Sequence, residues 1–187
     1  MDLKESLFKV LQEKSFFRGK VFLSSGKESD YYLDCKTTTL DPFGSYLVAS
    51  LICEEVKKLR AHGAIVDAIG GMMIGADPIV GAVAALSYQQ GSPIQAFIVR
   101  KDPKAHGRMR LIEGDLPEGS RVIILDDVIT TGGATLKAIR AVEDQRCSVI
   151  KVLCLVDREE GAMEAFQGYD YEPLFRASDF LREVSSF

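Results

Sequence analysis

Four successive apolar residues, Val122, Ile123, Ile124 and Leu125, run straight into two aspartates, Asp126 and Asp127. A strand that is apolar on both faces has to be covered on both faces. A parallel sheet between helices provides that cover; a half-wetted antiparallel sheet does not. The segments around this strand alternate accordingly. Leu3, Leu7, Val10 and Leu11 recur at helical spacing and predict an amphipathic helix to about Lys14. The stretch GKVFLSSGKESDYYLDCK holds two β-prone runs around a Ser/Gly/Lys turn and reads as a hairpin. Asp41 as N-cap with Pro42 behind it opens a second helix, with Leu47, Leu51 and Leu59 on its apolar stripe, that stops near Gly63. A short strand, Ile65 to Ile69, is expected to end at the Gly70-Gly71 break, and Asp77-Pro78 repeats the cap signal for a helix to about Tyr88. Beyond it the pattern reads strand (94 to 99), long polar loop (100 to 119), strand (121 to 125), loop, helix (135 to 144) and strand (149 to 156).

An α/β class follows, with a central parallel sheet flanked by helices. With 187 residues and 47% apolar composition the chain is long enough for one sizeable core with a small appendage. The expected division is a helix and hairpin over 1–40 and an α/β core over 41–187, within a single domain. A net charge of -4 argues against a broad basic face for nucleic acid. The four cysteines, Cys35, Cys53, Cys147 and Cys154, lack C-x-x-C spacing and read as buried reduced thiols. The first residues mix acids and bases without the apolar run of a signal peptide or membrane span, so a cytoplasmic protein without membrane contact is expected.

In a parallel sheet ligands bind outside the carboxyl ends of the strands, which is where the informative residues fall. After Asp126 and Asp127 comes a Thr/Gly turn leading into a helix: Val128, Ile129, Thr130, Thr131, Gly132, Gly133, Ala134 and Thr135. The glycines allow positive φ and close approach of the backbone. The threonine hydroxyls and exposed N–H groups, with the helix N-terminus, make a dianion site. Two carboxylates beside a bare phosphate would repel it. A ribose 5-phosphate resolves the conflict, because its hydroxyls donate to carboxylates and its anomeric carbon turns cationic during displacement. Helix capping alone would need less than this pattern supplies. Neither a G-x-x-x-x-G-K-[ST] loop nor a G-x-G-x-x-G fingerprint is present.

Residues 122–135 closely resemble the phosphoribosyl pyrophosphate (PRPP) signature of type I phosphoribosyltransferases. The basic loop RKDPKAHGRMR, from Arg100, resembles the catalytic loop of orotate phosphoribosyltransferases, with its lysines and His-Gly. The hairpin is similar to that family's N-terminal hood, and PLFRASDFL near the end also looks like the family. The resemblance implies the type I phosphoribosyltransferase fold and transfer of ribosyl 5-phosphate from PRPP to orotate in pyrimidine (UMP) biosynthesis. It implies that Lys101, Lys104 and His106 carry catalysis on the leaving pyrophosphate, that Arg100 joins them in binding PRPP, and that the remaining PRPP contacts come from residues 126–134. Thr130 and Arg158 match the orotate contacts; a guanidinium suits a planar carboxylate, although Arg158 could instead pair on the surface with Glu159 or Glu160. Mg²⁺ is implied through PRPP, with no protein residue assigned as its ligand. The family also implies a homodimer whose loops cross between sites. Two departures stand out, since relatives often carry lysine where this chain has Ser24 and Ile74. Of the two histidines, His62 reads as a helix-end surface residue. A regulator that binds PRPP and nucleic acid would call for a basic face or an added helix-turn-helix, which the sequence lacks.

Overall fold

The computed structural model describes residues 2–22, 28–102 and 111–182. Helix α1 (Leu3–Lys14) starts where Asp2 accepts the Lys4 N–H at 3.1 Å, and it buries Leu7 and Leu11, one turn apart. The hairpin is present as β1 (Phe16–Phe22) and β2 (Glu28–Leu33), antiparallel, with Phe16 opposite Leu33. Its Ser/Gly/Lys turn lies outside the described residues. A short helix that the sequence pattern did not suggest, α2 (Lys36–Thr39), leads to α3 (Pro42–Ala61). Asp41 caps α3 as expected, accepting from Phe43 and Gly44 at 3.1 and 2.9 Å. His62 closes the same helix, exposed, its Nδ1 2.7 Å from the Lys58 carbonyl oxygen.

The main sheet comprises β3 (Ala68–Met72), β4 (Gln95–Val99), β5 (Ile112–Glu113), β6 (Arg121–Ile129), β7 (Ser148–Asp157) and β8 (Tyr171–Arg176), in the order β5-β4-β3-β6-β7-β8. All pairings are parallel except that of β5, which lies antiparallel on β4 and breaks the long polar loop expected over 100–119. The helices α4 (Asp77–Gln89), α5 (Gly133–Glu143), α6 (Ala162–Ala165) and α7 (Ala177–Arg182) complete the chain. Along β6, Ile123 and Leu125 pack into one core with residues of α1, α3 and α4, whereas Val122 and Ile124 pack into a second with Ala138, Ile139 and Val142 of α5. The two-residue period of a strand thus serves two cores from one run, which is why the run is apolar throughout.

Several boundaries differ from the sequence expectation. First, β3 begins later and runs through Gly70 and Gly71 instead of ending there. A Cβ on Gly70 would lie 2.4 Å from the Phe97 ring, and one on Gly71 would lie 1.9 Å from the Leu125 carbonyl oxygen, so the glycines mark close packing rather than a break. Second, β6 continues past Leu125 to Ile129 because β7 keeps pairing with it. Third, Asp77 is the first residue of α4 rather than its cap, and α5 starts at Gly133. The chain passes from β3 outward to β4 on one side and from β6 outward to β7 and β8 on the other. The strand order therefore reverses between β3 and β6, and this is where a crevice opens in such sheets. Among the described residues no helix is long and apolar enough to cross a membrane.

Away from that crevice, an aromatic cluster ties the two ends of the chain together. Phe180 of α7 stacks on Phe8 at 4.7 Å and on Phe16 at 5.4 Å, and Arg18 of β1 donates to the Leu181 carbonyl at 3.0 Å. A second fastening is Lys151 of β7, only 6% exposed, whose ammonium meets Glu172 at 2.6 Å, Glu55 at 3.1 Å and Asp170 at 3.3 Å. It joins α3, β7 and β8 by charge. Lys151→Met keeps the aliphatic volume but leaves three carboxylates facing one another. Because those partners are partly solvated, the loss in unfolding free energy should be about 1–3 kcal/mol, less than for a fully buried pair, and urea denaturation would measure it.

Candidate active site

The acid pair sits inside β6, where Asp126 lies opposite Cys154 of β7, and not beyond the strand end. The two carboxylates are 8% and 7% exposed. Asp126 spends both oxygens internally: Oδ1 accepts the Asp127 N–H at 3.0 Å and Oδ2 accepts the Thr135 hydroxyl at 2.8 Å. Asp127 Oδ1 accepts the Val128 N–H at 2.9 Å, while its Oδ2 faces Lys36 Nζ at 3.7 Å. Burial pushes the Asp126 carboxyl up to about 7; the Thr135 hydrogen bond opposes the rise and the neighbouring Asp127 charge adds to it. The loop after β3 comes within reach of both carboxylates. A Cβ at Gly75 would stand 2.4 Å from Asp127 Oδ1 and 2.7 Å from Asp126 Oδ1, so this approach requires glycine.

Beyond Ile129 the turn opens a cavity of about 230 Å³ lined by Asp126 and residues 128–135. Gly132 takes φ 80°, which turns the chain into α5, and no side chain caps that helix, so its N–H groups are available to an anion. Gly133 is already helical and does not supply a second positive φ. The Thr135 hydroxyl, expected to point toward the ligand, instead donates to Asp126. Thr131, Gly133 and Ala134 are exposed at the cavity mouth, and Thr130 is half-buried.

Arg158 follows β7, and its N–H donates to the Ile129 carbonyl at 2.9 Å, which places it beside the turn. Its Nε donates to Glu160 Oε1 at 2.8 Å and its guanidinium carbon lies 4.7 Å from the centre of the Tyr31 ring. The pairing with Glu160 considered from sequence therefore exists, but on a buried guanidinium; Glu159 instead accepts the Ser178 N–H at 2.8 Å. With Nε occupied and one face covered, the terminal nitrogens are the donors left for a planar anion.

Arg100, just past β4, folds toward its own loop, with Nη1 3.4 Å from Glu113 Oε1 and Nε 3.3 Å from the Asp102 carbonyl. Lys101 is exposed, and Lys104 and His106 lie outside the described residues. Ile74, at the position where relatives often carry lysine, is exposed, and Ser24 is also outside the described residues. Burial pushes the Cys35 and Cys154 thiols up, which keeps them protonated and unsuited to nucleophilic chemistry. Sequence reasoning missed Lys36 and the contact of Gly75 with the acid pair. The Asp34-x-Lys36 spacing after the hairpin was the available signal for the first.

A strand-order reversal that carries an acid pair, a Thr/Gly turn and an uncapped helix N-terminus marks a class of sugar-phosphate enzymes, and residues 81–171 match the phosphoribosyl transferase domain. The chain is 45% identical to an orotate phosphoribosyltransferase of Bradyrhizobium diazoefficiens over 94% of its own length and 95% of the relative's. The crystal structure of the Mycobacterium tuberculosis H37Rv orotate phosphoribosyltransferase in complex with Fe(III) dicitrate matches at 37% identity and a TM-score of 0.82, covering 96% of this chain and 99% of that one. The same enzyme in complex with PRPP matches at 34% identity and a TM-score of 0.78, covering 96% and 99%. The chain belongs to the orotate phosphoribosyltransferase family.

The raised Asp126 carboxyl has a consequence for stability. A carboxyl whose pKa is higher in the folded protein than its ordinary value near 3.8 stabilises the fold fully at low pH, and that contribution is lost as pH rises through about 7. Between about pH 4 and pH 8 the urea midpoint of the wild type should fall relative to that of Asp126→Asn, whose amide does not ionise. Parallel curves for the two proteins would show that Asp126 ionises as it does in water.

Proposed function

We propose that this chain transfers the ribosyl 5-phosphate of PRPP to orotate, yielding orotidine 5-monophosphate and pyrophosphate, in the synthesis of UMP. The observation that carries this reading is the adjacency of two anion sites on neighbouring strands. The uncapped turn after β6 suits a phosphate, and Arg158 after β7, tied to Ile129 through its N–H at 2.9 Å, suits a planar carboxylate. A ribose between them would reach Asp127 with its hydroxyls. The pyrimidine nitrogen forms the new bond to the anomeric carbon as the bond to pyrophosphate oxygen breaks, and the leaving group departs with the electron pair. Asp127 accepts from the ribose hydroxyls and its charge favours the cationic ribosyl centre. Orotate enters as a carboxylate anion, and the proton on its attacking ring nitrogen passes to the oxygens of the departing pyrophosphate as the new bond forms.

Mg²⁺ accompanies PRPP as part of the substrate, shielding its phosphates. Arg100, Lys101, Lys104 and His106 are proposed to meet the departing pyrophosphate, with Lys101, Lys104 and His106 the catalytic groups. Residues 126–134 are proposed to hold the remainder of PRPP, and Thr130 and Arg158 to hold orotate. One domain over 1–187, with the helix and hairpin of 1–40 as a hood over the core of 41–187, accommodates this division of labour. The exposed apolar side chains of Leu40, Phe43 and Tyr46, at the junction of α2 and α3, support a self-associating surface for a homodimer. Four buried cysteines without a disulfide support a reducing compartment, the cytoplasm.

In a spectrophotometric assay orotate should be consumed only when PRPP and a divalent cation are both present. Consumption of adenine, hypoxanthine or uracil with orotate untouched would overturn the choice of base. Loop exchange across the dimer has its own test, co-expression of Lys104→Ala and Asp127→Asn under different tags. If loops cross, a mixed dimer has one doubly damaged site and one intact site. Random pairing then returns about a quarter of wild-type activity. Purified mixed dimers as inactive as their parents would assign each loop to its own chain.

A further inference from the structure

Lys36 begins α2 immediately after the hairpin and sends its ammonium to the acid pair. Nζ lies 2.9 Å from Asp34 Oδ1 and 3.7 Å from Asp127 Oδ2. Asp127 Oδ1 already accepts the Val128 N–H, so Oδ2 is the more open acceptor for a ligand. At 3.7 Å the ammonium attracts and orients that oxygen without consuming it as a hydrogen-bond acceptor. The short leg to Asp34, joined by the Lys36 N–H to Asp34 Oδ1 at 3.1 Å, fixes where the ammonium sits. The side chain is 45% exposed, and an ion pair so open to water with one long leg contributes little to folding. Its position is better explained by what it does to Asp127.

We propose that Lys36 is a positioning residue of the ribose site, holding Asp127 Oδ2 aimed at the ribose hydroxyls of PRPP and linking the hairpin to that oxygen. The proposal rests on the reading of this crevice as a PRPP site. It separates the three parts of the substrate: the 5-phosphate belongs to the turn before α5, the hydroxyls to Asp127 under the control of Lys36, and the pyrophosphate to other groups.

Calorimetric titration of the wild type, Lys36→Met and Lys36→Arg with inorganic phosphate, ribose 5-phosphate and PRPP with Mg²⁺ resolves these parts. Lys36→Met should weaken ribose 5-phosphate and PRPP alike, by on the order of tenfold, and leave inorganic phosphate and the urea midpoint unchanged. Lys36→Arg should recover most of the loss, and in turnover the KM for PRPP should rise while that for orotate stays put. If Lys36→Met does not fold, Lys36→Gln makes the same comparison. Undiminished ribose 5-phosphate binding overturns the proposal, even with PRPP weakened, since the ammonium would then serve the pyrophosphate directly. Parallel loss of inorganic phosphate overturns it too, as a general disturbance of the site. A wild type that binds phosphate but neither ribosyl compound would instead overturn the reading on which the proposal rests.

Discussion

Burying two adjacent carboxylates inside a strand in the middle of an apolar sheet is expensive, and much of the local structure answers that expense. Asp126 is accommodated by the Thr135 hydroxyl and a backbone N–H, and by a carboxyl that holds its proton up to about 7. Asp127 is accommodated by the Val128 N–H and by the ammonium of Lys36. The two residues therefore divide the work. Asp126 locks the start of α5 to β6 through the Thr135 hydroxyl, and Asp127 turns Oδ2 toward the Lys36 ammonium. Adjacent in sequence and alike in chemistry, they differ in surroundings because of what each oxygen touches.

The crevice in which they stand is made by the sheet. Parallel strands on both sides of β3 and β6 diverge where the connection changes direction, so the carboxyl ends of these strands are exposed to a ligand while their middles stay covered. The β3 glycines permit this geometry, with Gly70 against Phe97 and Gly71 against the Leu125 carbonyl, and Gly75 continues it by lying over the acid pair. A methyl group at any of the three would force the neighbouring strand, ring or carboxylates to move.

Local signals carried the features that depend on neighbours in sequence. The cap at Asp41, the hairpin, the apolar runs and the Thr/Gly turn could all be read from consecutive residues, as could the class of ligand they suit. What could not be read depends on partners distant in the chain. The extension of β6 to Ile129 is set by continued pairing with β7, and β5 forms because β4 offers it an edge. Gly70 and Gly71 look like a break in isolation, and only the Phe97 ring and the Leu125 carbonyl reveal them as packing positions. Lys36 offered only the Asp34-x-Lys36 spacing after the hairpin. Its meaning comes from an aspartate of β6, distant in the chain, that the fold brings to it.

The aromatic contacts of Phe180 set an order on the making of the protein. Helix α1 and strand β1 leave the ribosome before α7, yet Phe8 and Phe16 stack on a ring that belongs to α7, and Arg18 waits for the Leu181 carbonyl. At about 5–20 residues per second, on the order of ten seconds pass before that partner is made. Throughout this interval the nascent hood carries uncovered phenylalanines, the kind of surface that chaperones hold. The packing of α1 and β1 is thus completed only when residues 177–182 emerge.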